Sequence, residues 1–360
     1  MMASDTNETY WSNYDGLQHA KHRILSEYLG GWFAILGSVK GQMLYVDTHA
    51  GRGRHTTGEL GSPLLALQTL LDHRDKDAIL KHSNVHFLFL EAEEHNCEAL
   101  ERELALLQLP SKISVDLVNR DFEDVINSLL DSVDRKGKRL EPSFLFIDPF
   151  GFRLSMQLLR RLMRYPRVEL LINFMFRYVD MAIRHESQAA NMDRLFGCPD
   201  WNSLMAIDHP DQRSIETINL FSKQLNARYV THMRMLGTNR ATKYVLLHAT
   251  NHVKGRQLMK NTMWKVSPDG SFCAYQNDNP HQLMLFEEEP DLTVLQKQLF
   301  DRFAGQTIEY ETLCSWVDQT MWLKKHLNTV LRDYRKENKR AFSGYEGRFS
   351  FNQNPTIRFP

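Results

Sequence analysis

The sequence predicts an α/β protein: a Rossmann-like, mostly parallel sheet with an antiparallel last strand, followed by a small C-terminal winged-helix-like domain. Three observations carry this. Short apolar runs of strand length alternate with helical patterns through most of the chain. Each run ends in a polar or glycine-containing turn. Past a stretch rich in Asn, Asp, Glu, Gln and Pro at 274–290, the pattern changes to three short helices and a hairpin.

The elements follow in order. Leu17, Ile24, Leu25, Tyr28, Leu29, Trp32 and Phe33 recur at helical spacing and predict a helix over 16–36. Met43–Val46 reads as a buried strand that stops at Asp47. Gly61-Ser62-Pro63 opens a helix to Leu71, with Pro63 suited to a first turn. Further strands are expected at 85–90, 113–118, 143–147 and 169–173, with helices between the first four. A helical insertion is expected over about 176–228. The strands 229–236 and 243–249, joined by Gly237-Thr238-Asn239, read as a hairpin, and a helix at 255–265 follows. The expected division is 1–273 for the α/β domain, 274–290 for a linker and 291–360 for the tail. In the tail, helices at 292–304, 308–318 and 321–334 precede a hairpin within 341–359.

Composition narrows the functional class. The 360 residues carry 44 basic and 44 acidic side chains, which excludes a uniformly basic coat protein but not a local basic face. No apolar run reaches the ~20 residues of a membrane helix. Met1–Thr6 has neither the basic nor the apolar segment of a signal peptide. Cys97, Cys198, Cys273 and Cys314 are too scattered for a zinc site, so a reduced cytoplasmic protein without metal or membrane is expected.

Asp47, Glu91, Asp121 and Asp148 all fall just beyond predicted strands, where open α/β sheets bind ligands. Gly51 and Gly53 let the backbone approach a ligand closely. The loop lacks the third glycine of a dinucleotide fingerprint and the Gly-Lys-Ser/Thr of a P-loop. It is either a tight strand-to-helix turn or a site for a ligand without a pyrophosphate. S-adenosylmethionine is such a ligand. Asp47 and the loop carbonyls suit its cationic end, Glu91 its ribose diol, and Asp121 its adenine amine, with Phe122 over the ring.

Asp47-Thr48-His49-Ala50-Gly51-Arg52-Gly53-Arg54, Gly61-Ser62-Pro63-Leu64, Leu90-Glu91, Asp121-Phe122, Ile147-Asp148-Pro149 and the earlier Lys21-His22-x-x-Leu25 resemble the motifs of large-subunit ribosomal RNA adenine-N6 methyltransferases. That resemblance implies a methyltransferase fold, cofactor contacts from Lys21, His22, His49, Ser62, Glu91 and Asp121, and a catalytic Asp148. Over nearly the whole chain the sequence is similar to the three-Cys-motif partner (TcmP) family. The shared features are the Ala-Gly-x-Gly loop, Gly-Ser-Pro, Asp-Pro-Phe-Gly and Gly255-Arg256-Gln257-Leu258-Met259-Lys260, with a winged-helix-like tail. This implies a three-Cys-motif protein as a partner.

An exocyclic adenine amine is a poor nucleophile until hydrogen-bond acceptors hold its N–H groups. Asp148 and the Pro149 carbonyl supply acceptors, and Phe150 a stacking ring. The turn departs from Asp-Pro-Pro-Tyr: the second proline is absent and the aromatic comes one residue early. The expected function is an S-adenosylmethionine-dependent methyltransferase acting on DNA or RNA, with an adenine amine as one candidate target. The alternative is a catalytically divergent subunit of a nucleic-acid-processing, repair or phage-defence complex.

Two basic stretches stand out. Arg153, Arg160, Arg161, Arg164 and Arg167 face one acid, Glu169. In the tail, Lys324, Lys325, Arg332 and Arg335 on the last helix and Arg348 on the wing are the expected nucleic-acid contacts. A solvated face or a protein-docking module is the other reading of that tail.

Overall fold

In a computed structural model of the chain, the described residues are 11–12, 14–278 and 289–360. The reading of Met1–Thr6, and the larger part of the expected linker, lie outside them. The described residues form two compact units. One comprises those up to 262 with 272–278, the other 263–271 with 289–360.

The first unit holds an eight-stranded sheet: β1 (Gly41–Asp47), β2 (Ser83–Leu90), β3 (Ile113–Val118), β4 (Ser143–Ile147), β5 (Val168–Phe174), β6 (Tyr229–Leu236), β7 (Thr242–Thr250) and β8 (Cys273–Tyr275). Their order is β3-β2-β1-β4-β5-β7-β6-β8. The first five are parallel, and β7 runs antiparallel to both β5 and β6. β8 pairs parallel with β6 at the edge, and it begins the stretch expected as linker.

The helices of this unit are α1 (Gly16–Gly37), α2 (Ser62–Leu71), α3 (Lys76–His82), α4 (Glu94–Ala105), α5 (Phe122–Arg135), α6 (Met156–Met163), α7 (Phe176–Ala182), α8 (Ala189–Phe196), α9 (Pro210–Gln224) and α10 (Val253–Val266), whose last turn belongs to the second unit. Asp15 starts α1 with a capping box, accepting from the Gln18 amide while Gln18 reaches back to Asp15.

Strand alternation sorts the core. Val46, Leu88, Leu145, Leu170 and Ile172 face one side, packing with α5, α6, α8 and α9. Tyr45, Phe87 and Phe144 face the other, where Tyr28, Trp32 and Phe33 of α1 cover them. Both faces are buried, as the continuous apolar runs require.

The Gly255–Lys260 segment lies in this layer. A Cβ on Gly255 would sit 2.2 Å from Glu169 Oε2, so only glycine lets α10 pass over that carboxylate. Glu169 accepts from Tyr28 Oη at 2.5 Å and Trp32 Nε1 at 3.2 Å, and lies 3.3 Å from His248 Nε2. Met259 and Lys260 are buried.

In the second unit, α11 (Leu292–Phe303), α12 (Tyr310–Gln319) and α13 (Lys324–Glu337) pack with a three-stranded sheet ordered β10 (Phe342–Ser343), β11 (Thr356–Arg358), β9 (Thr307–Glu309), both pairs antiparallel. This is the arrangement of a winged helix. Its core joins Leu295, Leu299, Leu313, Leu327, Leu331 and Ile357. Trp264, placed by sequence in the first domain, belongs here. Its Nε1 donates to the Met321 carbonyl at 2.7 Å, and its ring meets Trp322 and His326. Residues 263–271, expected in the first domain, therefore join the second unit, because an apolar Trp264 on a helix gives no sign of which core it joins.

Candidate functional site

The parallel register brings the carboxyl ends of β1, β2, β4 and β5 to one edge. Asp47 pairs across to Phe89 and Phe146, Leu90 to Val118, and Ile147 to Ile172. Asp47, Glu91, Asp148 and Asn173 fall at this edge, with the loop 48–56 above it.

Asp47 is fully buried. It accepts from the His49 amide at 3.2 Å, and the Ser62 side chain also bonds it. Burial pushes its carboxyl up to about 7, against the pull of those bonds. His49 is pushed down to about 4 by burial and is therefore neutral. Its Nδ1 lies 2.8 Å from Thr48 Oγ1, and its ring 4.9 Å from Phe122.

Glu91 organises the loop. Its Oε2 accepts from the Gly51 amide at 2.7 Å and its Oε1 from the Glu93 amide at 2.8 Å. Gly51 has φ +66°, and a Cβ there would lie 2.3 Å from the Trp11 indole. Gly53 accepts from the Gly61 amide at 2.7 Å, which ties the loop to the start of α2 and to the buried Ser62. Asp121 caps α5, accepting from the Glu123 amide through Oδ1. It is exposed, whereas Phe122 beside it is buried.

Lys21 and His22 come from α1, and both are buried. Lys21 Nζ donates to Asp148 Oδ2 at 2.6 Å, and Asn173 Nδ2 donates to Asp148 Oδ1. Burial raises the Asp148 carboxyl, but the Lys21 charge and these two bonds outweigh it and hold the group below the ordinary carboxylate value. His22 is held well below its ordinary value, by burial first and then by Lys21, and its Nδ1 lies 3.0 Å from Tyr14 Oη. Sequence reasoning gave Asn173 no role. Its place one strand over from Asp148, at a predicted strand end, was the available signal. Asn173 Oδ1 is buried and has no partner among the described residues.

Pro149 is buried, while Phe150 is 67% exposed. Gly151 has φ +98°. Phe150, Phe152, Arg153, Tyr178 and Asn191 line a cleft of about 220 Å³ beside this turn. Three of the five nearby arginines are engaged by other partners: Arg160 bonds Gln224, Arg161 pairs Asp131 and Asp134, and Arg167 bonds the Leu140 carbonyl. Arg153 is exposed and lines the cleft.

In the second unit, Lys324, Lys325, Arg332 and Arg348 are exposed. Arg335 is not a free phosphate contact. It is half-buried, with its guanidinium 4.2 Å from the Phe349 ring centroid, and it donates to Tyr345 Oη at 3.2 Å. Among the described residues no cluster of His, Cys, Asp and Glu could hold a metal, and no helix is long and apolar enough to cross a membrane.

The strand order with an antiparallel β7 between β5 and β6 defines a Rossmann-like methyltransferase fold. The family model described as the GMT-like wHTH domain matches residues 274–339, in keeping with the winged-helix arrangement of the C-terminal part. No curated protein matches the chain. Solved structures similar to it include a Legionella pneumophila protein of the DUF519 family, 12% identical, covering 68% of this chain and 92% of that one at TM-score 0.37. Another is the cyclopropane synthase MmaA2 of Mycobacterium tuberculosis, 10% identical, covering 69% of each chain at TM-score 0.31. The methyltransferase domain of a bacterial CtHen1 is 11% identical, covering 63% of this chain and 99% of that one at TM-score 0.29.

Proposed function

We propose that the chain is an S-adenosylmethionine-dependent methyltransferase acting on nucleic acid, with the winged helix docking substrate or partner. The observation that carries this is the acceptor set at the strand ends. Asp47, Glu91 and Asp121 offer hydrogen-bond acceptors along one edge. S-adenosylmethionine carries the matching donors: an ammonium, a ribose diol and an adenine amine. The residues therefore fit the group. Glu91, anchored by two backbone amides, is left with lone pairs for the diol. Asp47 is a buried acid that a neighbouring cation would favour in its charged form. Lys21, His22, His49 and Ser62 complete the pocket, and Gly51 and Gly53 keep its loop close.

When bound, the cofactor supplies an electrophilic methyl group. The chain's own part is to hold the acceptor. Asp148 is kept ionised by Lys21, so it serves as a hydrogen-bond acceptor for an amine rather than as a base of ordinary strength. Asn173 Oδ1, which has no partner among the described residues, adds a further acceptor beside it, and the Pro149 carbonyl follows in the chain. The exposed Phe150 and the adjoining cleft offer a flat surface to a base taken out of its helix or lying in a single strand. An adenine amine suits this acceptor set. A three-Cys-motif protein is the partner that the sequence resemblance suggests. Methyl transfer from labelled S-adenosylmethionine to DNA and RNA, by the parent and by Glu91→Ala, tests the proposal. Incorporation into neither polymer counts against it.

A further inference from the structure

We infer that the crevice between α13 and the wing binds one unpaired nucleotide of a single-stranded nucleic acid. This rests on the reading of the chain as acting on nucleic acid, and it gives that reading a site. The crevice holds about 290 Å³. Lys324, Asn328 and Arg332 form its helical side, spaced four residues apart, so one stripe of α13 faces the wing. Tyr310, Phe349 and Phe351, with the polar Ser350 and Asn352, form the rest of the wall.

The aromatic wall is mutually packed. Tyr310 is buried and stacks on Phe351 with centroids 4.6 Å apart and planes 20° from parallel. Phe349 meets Phe351 edge-on at 5.0 Å. The half-buried Phe351 is thus backed on one side and braced on another. Each cation lies over one ring of this wall. Lys324 Nζ lies 5.3 Å from the Tyr310 centroid, and the Arg332 guanidinium 5.8 Å from that of Phe351. Both are exposed, neither is in an ion pair among the described residues, and no acidic residue lines the crevice.

A flat apolar surface between two unpaired cations matches one chemistry well: an aromatic base joined to phosphate. Within a duplex each interior base keeps both faces stacked, so away from the ends only an unpaired base can present a face to Phe351. The phosphates then meet Lys324 and Arg332. A phosphopeptide would use the cations but has no need of the aromatic wall. The inward turn of Arg335 points the same way, since it leaves the helix without part of the basic surface expected to lie on a duplex.

The test is fluorescence anisotropy of the full chain with a labelled oligo-dT of about 12 nucleotides, its oligo-rU counterpart, and a blunt duplex of the same length. The single strands should bind more tightly than the duplex. Phe351→Leu keeps apolar volume but loses the π face, and should weaken single-strand binding by roughly 5- to 150-fold without changing the salt slope. Lys324→Gln and Arg332→Gln, both on exposed side chains, should each lower the slope by about 0.7. Tighter duplex binding, with Phe351→Leu indistinguishable from the parent, would overturn the inference and leave the nucleic-acid reading standing. A phosphoserine peptide that displaces oligo-dT at equal concentration would also overturn it. If the folded parent binds none of the three probes at low salt, the nucleic-acid reading itself fails.

Discussion

Replacing Lys21 with Met tests how the acceptor side of the site is held. Lys21 is 3% exposed and its ammonium lies 2.6 Å from a carboxylate that is itself largely covered. At an effective dielectric of about 20, unit charges at 2.6 Å attract by ~6 kcal/mol, and the desolvation of both groups offsets part of this. Removing one partner of such a pair leaves a buried charge and costs about 3–5 kcal/mol. For a unit of this size that corresponds to a fall in Tm of roughly 6–20 °C, read by differential scanning calorimetry at neutral pH. Because Asp148 is held below its ordinary value in the folded state, the stabilisation is present above the unfolded value of ~3.9 and is lost as pH falls through the folded value. The gap between parent and variant should therefore close in acid. Lys21→Met with Asp148→Asn removes both charges and should recover at least ~1 kcal/mol relative to the summed single effects. Additivity within about 0.5 kcal/mol, or a gap independent of pH, would refute the pairing as the reason Lys21 is buried here.

Three other outcomes are expected. Asp47, raised to about 7, stays protonated in the folded chain while the unfolded carboxylate ionises near ~3.9. Stability should therefore fall as pH rises from about 4 to 7 and then level, and cofactor affinity should rise over the same window. Calorimetry in two buffers of different ionisation enthalpy should show proton release on binding below pH 7 that Asp47→Asn removes. Asp148→Ala should abolish methyl transfer with cofactor binding nearly intact, whereas Asp148→Asn should keep substantial activity because an amide oxygen still accepts a hydrogen bond. Full activity in the Ala variant, measured on the methylated nucleic acid, would make the turn a packing feature and favour the catalytically divergent reading. Arg335→Ala should destabilise the winged helix by about 1–2 kcal/mol through lost contact with its rings, leaving the salt slope of nucleic-acid binding unchanged.

The strands were legible because parallel strands buried on both faces read as unbroken apolar runs, such as Phe144-Leu145-Phe146-Ile147. β8 was not, since three residues at a sheet edge, at the start of a polar stretch, carry no periodicity. The acidic strand ends could be placed from the chain alone, because each follows directly on its strand. The Lys21–Asp148 pair could not, because it joins residues 127 positions apart. Arg335 was legible in principle. It continues the Leu327–Leu331 stripe at four-residue spacing, which points it into the aromatic cluster, whereas Lys324–Asn328–Arg332 forms the separate stripe that lines the crevice. The two stripes interleave along α13, so basic residues of both faces lie next to one another in the sequence. Gly255 shows the same limit. Its motif was visible, but the carboxylate it must clear lies on a strand 86 residues earlier.

The central claim is that the strand ends hold S-adenosylmethionine, and titration calorimetry of the full chain with S-adenosylmethionine tests it most directly. The account predicts saturable binding at one site per chain. Glu91→Ala should weaken it by more than tenfold, since hydrogen bonds to a charged group are worth ~1.5–3 kcal/mol each. Binding unaffected by Glu91→Ala would move the ribose elsewhere. No binding by a folded parent, with no rise in Tm at saturating cofactor, would contradict the account.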